Sequence, residues 1–475
     1  MTANQVLEIF KKITTIPRGS GNEGPMTDYL CSWAEGHGLE FKRDATGNVC
    51  IIREAAPGKE KVPTIVLQAH QDMVCEKLAG FQFNFEKEPI PYVIKDGWMV
   101  AENTTLGADD GIGIAACLAL LESKDPTGRI EAVFTISEET GMDGANAMEA
   151  GFFTGTTLVN LDSEDEGQLF IGCAGGENTD AFFRYETGDF RHGWDRLDLR
   201  ISGGVGGHSG DDINKGRLNA VRALAQFLLA ELEQNGLQLV ILAGGGKHNA
   251  IAREARASII VPDTAATKKR FAEFGEKTKA EYAATEPALC FTSRRSGFNE
   301  KPVRDEDAAA LLHALVNCPH GVVKMSPDID GLVQTSTNLA AVDMSRRGTV
   351  KVVTSQRSSV VPELDDIVAE VADAFRKEGA EVVSYSKYPG WNPDLNSHIL
   401  EVTRNSYRRL FGEEPLVLAI HAGLECGLFL EKFPGLDMIS FGPTLRGVHT
   451  PGEKLELASL DKFVKLLDDI VINFS

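Results

Sequence analysis

The stretch VPTIVLQAHQD, residues 62–72, decides the predicted fold. Its apolar run is typical of a strand that is buried on both faces of a sheet. The run ends in His70, and Asp72 follows two positions later, so in an extended chain both side chains point to the same side. Taken alone, the pair also suits a structural histidine at a strand end. A buried strand with such an end nevertheless predicts a site beyond the carboxyl edge of an α/β sheet.

The segments that follow repeat this arrangement. A helix is predicted over DGIGIAACLALLES (110–123), and further buried strands over RIEAVFTIS (129–137) and TTLVNLDS (156–163). A strand at 436–442 and a closing helix at 459–471 complete the pattern. Apolar strands that alternate with helices predict an α/β fold with a mixed, mostly parallel sheet.

The glycine-rich CAGG segment at 173–176 interrupts the α/β pattern. An α+β insertion follows it over residues 177–389, in which shorter strands and helices alternate. The α/β pattern then resumes, which predicts one discontinuous domain of residues 1–176 and 390–475. No internal repeat is evident in the sequence.

Composition excludes several classes of protein. A chain of 475 residues is expected to form two or three domains. The formal charge of −21 disfavours nucleic acid and anionic membrane as partners. The eight cysteines are scattered without a CxxC pair, which indicates reduced thiols. With no signal peptide and no long apolar run, a cytoplasmic location is expected.

Four further clusters of polar residues lie after predicted strands or at the start of the helix. They are LGADDG (106–111), SEETG (137–141), LDS (161–163) and GVHTP (447–451). Each has an ordinary explanation, such as a helix cap for the paired aspartates or a solvated acidic turn for the paired glutamates. Together with His70, they supply two histidines and at least three carboxylates. Such a set favours a metal site that suits zinc, with cobalt or manganese possible, and two cations sharing a carboxylate could activate one water.

The motifs extend over nearly the whole chain. They are IPRGSGNEGPM (16–26), DATGNVCI (44–51), LQAHQDMV (67–74), TLGADDGIG (105–113), SEETGMDGA (137–145), LVNLDSE (158–164), GCAGG (172–176), GGVGGHSG (203–210), HAGLECG (421–427) and GPTLRGVHTPGEKL (442–455). In this order the chain resembles the di-zinc peptidase family that includes carnosinases, aminoacylases and bacterial dipeptidases. Within that family it most resembles the aminoacyl-histidine dipeptidases, also called cytosol non-specific dipeptidases.

The resemblance implies two zinc ions per chain with one shared carboxylate. The implied ligands are His70, Asp109 and Asp162 for one zinc, and Asp109, Glu139 and His449 for the other. Glu138 is then expected to be the general base and Asp72 to orient His70. The order of Glu138 and Glu139 depends on the resemblance, since the residues alone leave both assignments open. The resemblance also implies a cis peptide bond after Asp109.

For residues 177–389 the resemblance implies a lid and dimerisation domain. His208 is expected to reach the substrate carbonyl, Asn249 to be the lid asparagine and Arg357 to pair with the terminal carboxylate of the substrate. Glu425, in the HAGLECG motif, is expected to meet the free amine of the substrate. The alternatives are a loop histidine without a role, a surface salt bridge for the arginine and a structural ion pair for the glutamate.

The expected activity is therefore metal-dependent hydrolysis of dipeptides, of the Xaa-His (carnosine-like) type with broad specificity, by a cytoplasmic homodimer. A deacylase of N-acyl amino acids would use the same metals but would not need an anchor for a free amine. A catalytically silent, metal-dependent binding protein is the alternative from another class. The sequence contains Glu138 as well as all the implied ligands, which argues against this alternative.

Overall fold

The computed structural model describes residues 1–297 and 300–474. The helices in those residues are α1 (Ala3–Ile13), α2 (Gly24–Gly36), α3 (Ala108–Glu122), α4 (Glu138–Gly141), α5 (Asp143–Ala147), α6 (Ala220–Gln234), α7 (Thr264–Glu281), α8 (Asp305–Asn317), α9 (Val361–Arg376), α10 (His398–Phe411), α11 (Glu425–Lys432) and α12 (Leu457–Asn473). The strands are β1 (Glu40–Arg43), β2 (Val49–Arg53), β3 (Ile65–His70), β4 (Val93–Lys95), β5 (Trp98–Val100), β6 (Ile130–Thr135), β7 (Thr157–Asn160), β8 (Gln168–Cys173), β9 (Gly175–Arg184), β10 (Asp195–Ser202), β11 (Gln238–Gly245), β12 (Ala255–Val261), β13 (Cys290–Arg295), β14 (Gly321–Met325), β15 (Val333–Asp343), β16 (Thr349–Ser358), β17 (Glu381–Tyr388), β18 (Leu416–Ile420), β19 (Asp437–Ser440), β20 (Leu445–Arg446) and β21 (Lys454–Glu456).

The chain divides into two compact units. Unit 1 comprises Met1–Cys173, Trp391–Ala419 and the chain from Leu424 onward, and unit 2 comprises Ala174–Gly390 and Ile420–Gly423. No helix in the described part of the chain combines the length and the hydropathy needed to cross a bilayer.

Unit 1 is built on an eight-stranded sheet of order β1-β2-β6-β3-β7-β19-β8-β18. Its four central strands, β6, β3, β7 and β19, run parallel, while β1 and β2 at one edge and β8 near the other pair antiparallel. Every residue of β3 and β6 is buried, as expected where helices cover both faces of a parallel sheet. The predicted α/β class with a mixed, mostly parallel sheet is confirmed.

Helix α3 positions the paired aspartates of unit 1. It is apolar around its whole circumference because it packs between α1 and strand β3. Gly107, which precedes it, has a left-handed backbone with φ of 68°. Asp109 and Asp110 depart from helical geometry, and the peptide bond between them is cis, as the family resemblance implied.

Unit 2 contains an arrangement that the sequence did not reveal. Strands β10, β11, β12 and β13 with α6 and α7 follow the order βαββαβ. Strands β9, β15, β16 and β17 with α8 and α9 follow the same order, apart from the additional strand β14, which precedes β15 and pairs with it. The first set is inserted between β9 and α8 of the second. The sheet order is β13-β10-β12-β11-β15-β16-β9-β17. From its own edge of the sheet inward, each set has its fourth strand first, followed by its first, third and second strands. Unit 2 is therefore a nested structural repeat, although no repeat is evident in the sequence. The two sets of strands join where β11 pairs with β15.

Candidate active site

Unit 1 gathers polar side chains at the carboxyl edge of its parallel strands. His70 is the last residue of β3, Asp162 follows β7 by two residues, and Glu139 lies just after β6. Asp109 is contributed by the start of α3, and His449 by the loop between β20 and β21. Parallel strands end at one edge of their sheet, so residues far apart in sequence meet there.

Asp109 lies between the two imidazoles. Its Oδ1 is 2.9 Å from His70 Nε2 and its Oδ2 is 3.1 Å from His449 Nε2. Asp162 Oδ1 lies 3.5 Å from the same nitrogen of His70, and Glu139 Oε1 lies 2.8 Å from His449 Nε2. Each imidazole thus faces Asp109 and one further carboxylate, and the two oxygens of Asp109 serve different histidines.

This donor set fits divalent cations. Imidazole nitrogens and carboxylate oxygens are ligands that zinc and related metals take in proteins, and ligand atoms of His70, Asp109 and Glu139 all lie within 4.8 Å of one another. An equally compact group contains His70, Asp162 and Asp110. The carboxylate of Asp110, however, accepts the backbone N–H groups of His70 at 3.3 Å and Gly113 at 3.1 Å. We therefore assign Asp110 to shaping the turn.

Several carboxyl groups of the site are buried close to one another, which disfavours their ionised forms. Burial raises the pKa of Glu138 well above its ordinary value, and the charge of Asp162 raises it further. Burial likewise raises the pKa of Asp162. Against the effect of burial, hydrogen bonds from His449 and His70 lower the pKa of Asp109. Cations bound among these groups would relieve the repulsion between carboxylates.

The paired glutamates do not lie on an extended strand end. The strand predicted over 129–137 ends at Thr135, Ser137 takes a left-handed conformation with φ of 54°, and α4 begins at Glu138. Neighbouring residues on a helix diverge by about 100°. The two carboxylates still point in different directions, but through helical rather than extended geometry.

Asp72 contacts both the histidine and the glutamate pair. Its Oδ1 lies 3.3 Å from His70 Nδ1 and accepts the backbone N–H of Glu138 at 3.0 Å. Its Oδ2 accepts the backbone N–H of Glu139 at 3.3 Å and the hydroxyl of Ser20 at 2.8 Å. An acceptor on the second nitrogen of a ligating imidazole fixes the ring. Asp72 is placed to do this while it also fixes the backbone of the two glutamates.

Two buried charged residues that the residue patterns did not single out support the site. Arg18, which is 2% exposed, donates to the backbone carbonyls of Gln71 at 3.1 Å, Asp72 at 2.7 Å and Gly107. Glu453, also 2% exposed, accepts the backbone N–H groups of Leu106 at 2.8 Å, Gly107 at 3.0 Å and Ala108 at 2.8 Å. Both residues lie inside quoted motifs, IPRGSGNEGPM and GPTLRGVHTPGEKL, and that was the signal that could have found them.

Glu425 is fully buried in unit 1. Its Oε2 accepts hydrogen bonds from Gln68 Nε2 and Thr135 Oγ1, both at 2.7 Å. Its Oε1 has no hydrogen-bond partner among the described residues. Burial raises the pKa of Glu425 to about 7. No ion pair explains this carboxylate within the described chain, and its predicted contact with a substrate amine stays a prediction.

The other three predicted residues belong to unit 2. His208 forms an isolated β-bridge with Ala250, beside Asn249, and its Nδ1 lies 3.2 Å from Asp211 Oδ2. The hydrogen bond from His208 lowers the pKa of Asp211, and the charge of Arg357 lowers it further. The nested repeat therefore brings His208 and Asn249 from one set of strands and Arg357 from the other into one neighbourhood.

Comparisons with known proteins agree with the predicted family. The chain is 35% identical over 467 residues to the cytosol non-specific dipeptidase of Escherichia coli (strain K12), covering 98% of this chain and 96% of that protein. Its structure matches that of aminoacylhistidine dipeptidase from Vibrio alginolyticus with a TM-score of 0.91 and 36% identity, over 99% of this chain and 96% of the other. Aminopeptidase PepT from Bacillus cereus ATCC 10987, at a TM-score of 0.59 and 18% identity over 99% of this chain and 98% of the other, shares the fold.

The model of peptidase family M20/M25/M40 matches residues 66–473. That range contains all five implied metal ligands as well as Asp72 and Glu138. The membership predicted from the motifs is confirmed: the chain belongs to peptidase family M20/M25/M40.

Proposed function

We propose that the protein is a dipeptidase that hydrolyses the single peptide bond of its substrate at a site for two zinc ions. The observation that carries the proposal is Asp109, whose two oxygens each face a different histidine. A bridging carboxylate is what a pair of cations about 3.5–4 Å apart requires. The similarity to two dipeptidases along almost the whole chain supports the same activity.

In this proposal His70, Asp109 and Asp162 hold one zinc, and Asp109, Glu139 and His449 hold the other. Cobalt or manganese could replace zinc, because the same imidazole and carboxylate donors suit those metals. When bound, the two cations supply Lewis acidity that polarises the scissile carbonyl and lowers the pKa of water.

The protein's own residues then move the protons. Glu138 accepts a proton from the attacking water and returns it to the departing amine. Its backbone N–H is fixed by Asp72 at 3.0 Å, which holds the glutamate in place during both transfers. His208 donates a hydrogen bond to the oxyanion that forms as water adds to the carbonyl.

Three residues would select the substrate. Arg357 pairs with the terminal carboxylate, and Asn249 contacts the bound dipeptide beside His208. Glu425, whose Oε1 has no hydrogen-bond partner among the described residues, meets the free amine. We propose Xaa-His dipeptides, within a broad specificity, as the preferred substrates, in keeping with the relative that is named an aminoacylhistidine dipeptidase.

A panel of dipeptides and their N-acetylated forms tests the substrate class. The zinc-loaded protein is expected to cleave β-alanyl-histidine and other dipeptides, and to cleave the N-acetylated forms at least about tenfold more slowly because an amine-binding carboxylate loses its partner. Release of the free amino acid is the measured quantity. Faster cleavage of the N-acetylated forms would instead identify a deacylase, and no cleavage of either would identify a binding protein.

We also propose that residues 177–389 form a lid and dimerisation domain in a cytoplasmic homodimer. The observation behind the lid is that His208, Asn249 and Arg357 all lie in that segment. The location follows the relative that is named a cytosol dipeptidase. Sedimentation equilibrium of the full chain is expected to give twice the chain mass at micromolar concentration. A single-chain mass throughout the range would rule out the dimer.

A further inference from the structure

Unit 2 contains a buried guanidinium that forms no salt bridge with any described carboxylate. Arg357, near the end of β16, is 7% exposed and forms no ion pair within residues 1–297 and 300–474. Its Nη1 donates to the hydroxyl of Tyr388 at 3.2 Å, and its Nε has no partner in the same residues. A buried charge is costly unless it is paired. The charge of Arg357 lowers the pKa of Asp211, but the two side chains form no salt bridge among the described residues. Arg357 is therefore suited to binding an anion from outside the described chain.

Tyr388 reaches Arg357 across a glycine. In the sheet, Arg357 of β16 pairs with Gly176 of β9, and Gly176 pairs in turn with Tyr388 of β17. The three residues form one row across three strands. Because the middle residue has no side chain, the side chains of its two neighbours can meet above it.

The tyrosine ring occupies a slot between two glycines. A Cβ atom at Gly176 would lie 2.6 Å from the Tyr388 hydroxyl oxygen, and one at Gly423 would lie 2.9 Å from Tyr388 Cε2. The backbone that follows Tyr388 also requires a glycine beside it, since a Cβ at Gly175 would lie 2.4 Å from the backbone nitrogen of Gly390. Glycines of the GCAGG and HAGLECG motifs thus make room for one side chain.

A β-bulge in β17 determines the direction of the Tyr388 side chain. The register between β17 and β9 shifts between Tyr385 and Tyr388, and Ser386 in this interval has a positive φ of 54°. Bulges insert a residue and redirect the side chains that follow, and they are frequent next to active sites. Without the extra residue, the side chain opposite Gly176 would be a different one.

We propose that Tyr388 is a positioning residue that holds the Arg357 guanidinium for the terminal carboxylate of the substrate, and so makes the enzyme select dipeptides with a free C-terminus. A hydroxyl orients the guanidinium through a hydrogen bond but carries no negative charge. An aspartate in its place would neutralise the arginine and compete with the substrate. The inference rests on the proposed dipeptidase activity and adds a residue and a specificity to it.

The test compares a dipeptide with its C-terminal amide in wild-type protein and in Tyr388→Phe. The variant removes only the hydroxyl, so KM for the dipeptide is expected to rise about tenfold while kcat stays within about twofold and KM for the amide is unchanged. Tyr385→Phe is the matched control, because Tyr385 lies on the same strand and its hydroxyl donates to Asp180 Oδ1 at 3.4 Å rather than to Arg357. Its kinetics are expected to match the wild type.

A second variant acts on the ring rather than on the hydroxyl. Gly423→Ala displaces the ring of Tyr388 and is expected to give the same carboxylate-specific rise in KM, with a thermal unfolding curve recorded to confirm folding. An unchanged KM for the dipeptide in Tyr388→Phe, or an equal rise for dipeptide and amide, would overturn the inference alone. If wild-type protein hydrolyses neither compound, the proposed function fails and the inference fails with it.

Discussion

Replacing Glu138 with glutamine is expected to lower kcat by about 10²–10⁴-fold while the metal content stays at two ions per chain. Glutamine has the shape of glutamate but cannot take a proton from water at neutral pH. The contacts of the described structure that would hold the metals involve Glu139 and His449 rather than Glu138. Elemental analysis and steady-state kinetics of one preparation give both quantities.

Glu149→Gln provides the matched control for this experiment. Glu149 is exposed and follows α5, so its kinetics and metal content are expected to equal those of the wild type. Glu139→Gln is expected to behave in the opposite way to Glu138→Gln, with loss of a metal equivalent. If Glu138→Gln loses the metal and Glu139→Gln keeps it, the two roles are reversed.

The sheet of unit 1 and the meeting place of its polar residues could be predicted because both follow from local patterns. The apolar run that ends at His70 is a buried strand whichever segment packs against it. Its neighbours, β6 and β7, show the same run followed by acidic residues. Since parallel strands share one carboxyl edge, local information about each strand was enough to bring the acids and the histidine together.

The conformation of the glutamate pair could not be predicted in the same way. Whether Glu138 continues a strand or begins a helix depends on Ser137, which adopts a left-handed conformation, and on Asp72, which accepts the two backbone N–H groups from 66 and 67 positions away in the sequence. The roles of Arg18 and Glu453 could not be predicted for a related reason, since their partners are backbone groups of distant loops. Such contacts leave no periodic trace in the sequence.

The nested repeat of unit 2 shows a different limit. Its two sets of strands share an order but no quoted motif, and one set is inserted within the other. Strand β9 is therefore separated from the rest of its own set by more than a hundred residues. Pairing over such distances is decided by the packing of the whole sheet rather than by any one segment. Arg357 could be singled out from the family resemblance, but the Tyr388 that contacts it could not.

Removal of the metals is expected to abolish hydrolysis, with a larger loss than any single substitution outside the ligands. Without cations, no described residue is placed to replace the Lewis acidity that activates water. Burial also raises the pKa of the proposed ligand Asp162 in the metal-free chain, so its ionised form, which metal binding needs, is disfavoured. Restoring activity therefore requires added metal. Neutral or higher pH favours the rebinding of that metal, because deprotonated carboxylates are the ligands.

The most direct test of a centre bridged by Asp109 is a zinc titration of metal-free wild-type protein, followed by dipeptide hydrolysis at each step. The proposal predicts no measurable hydrolysis at the start and full activity at two equivalents of zinc per chain. Asp109→Asn, titrated in parallel, is expected to bind less than one equivalent of zinc tightly, because the substitution weakens a ligand that both cations share. Full activity in the metal-free protein, or two tightly bound zinc ions in Asp109→Asn, would contradict the account.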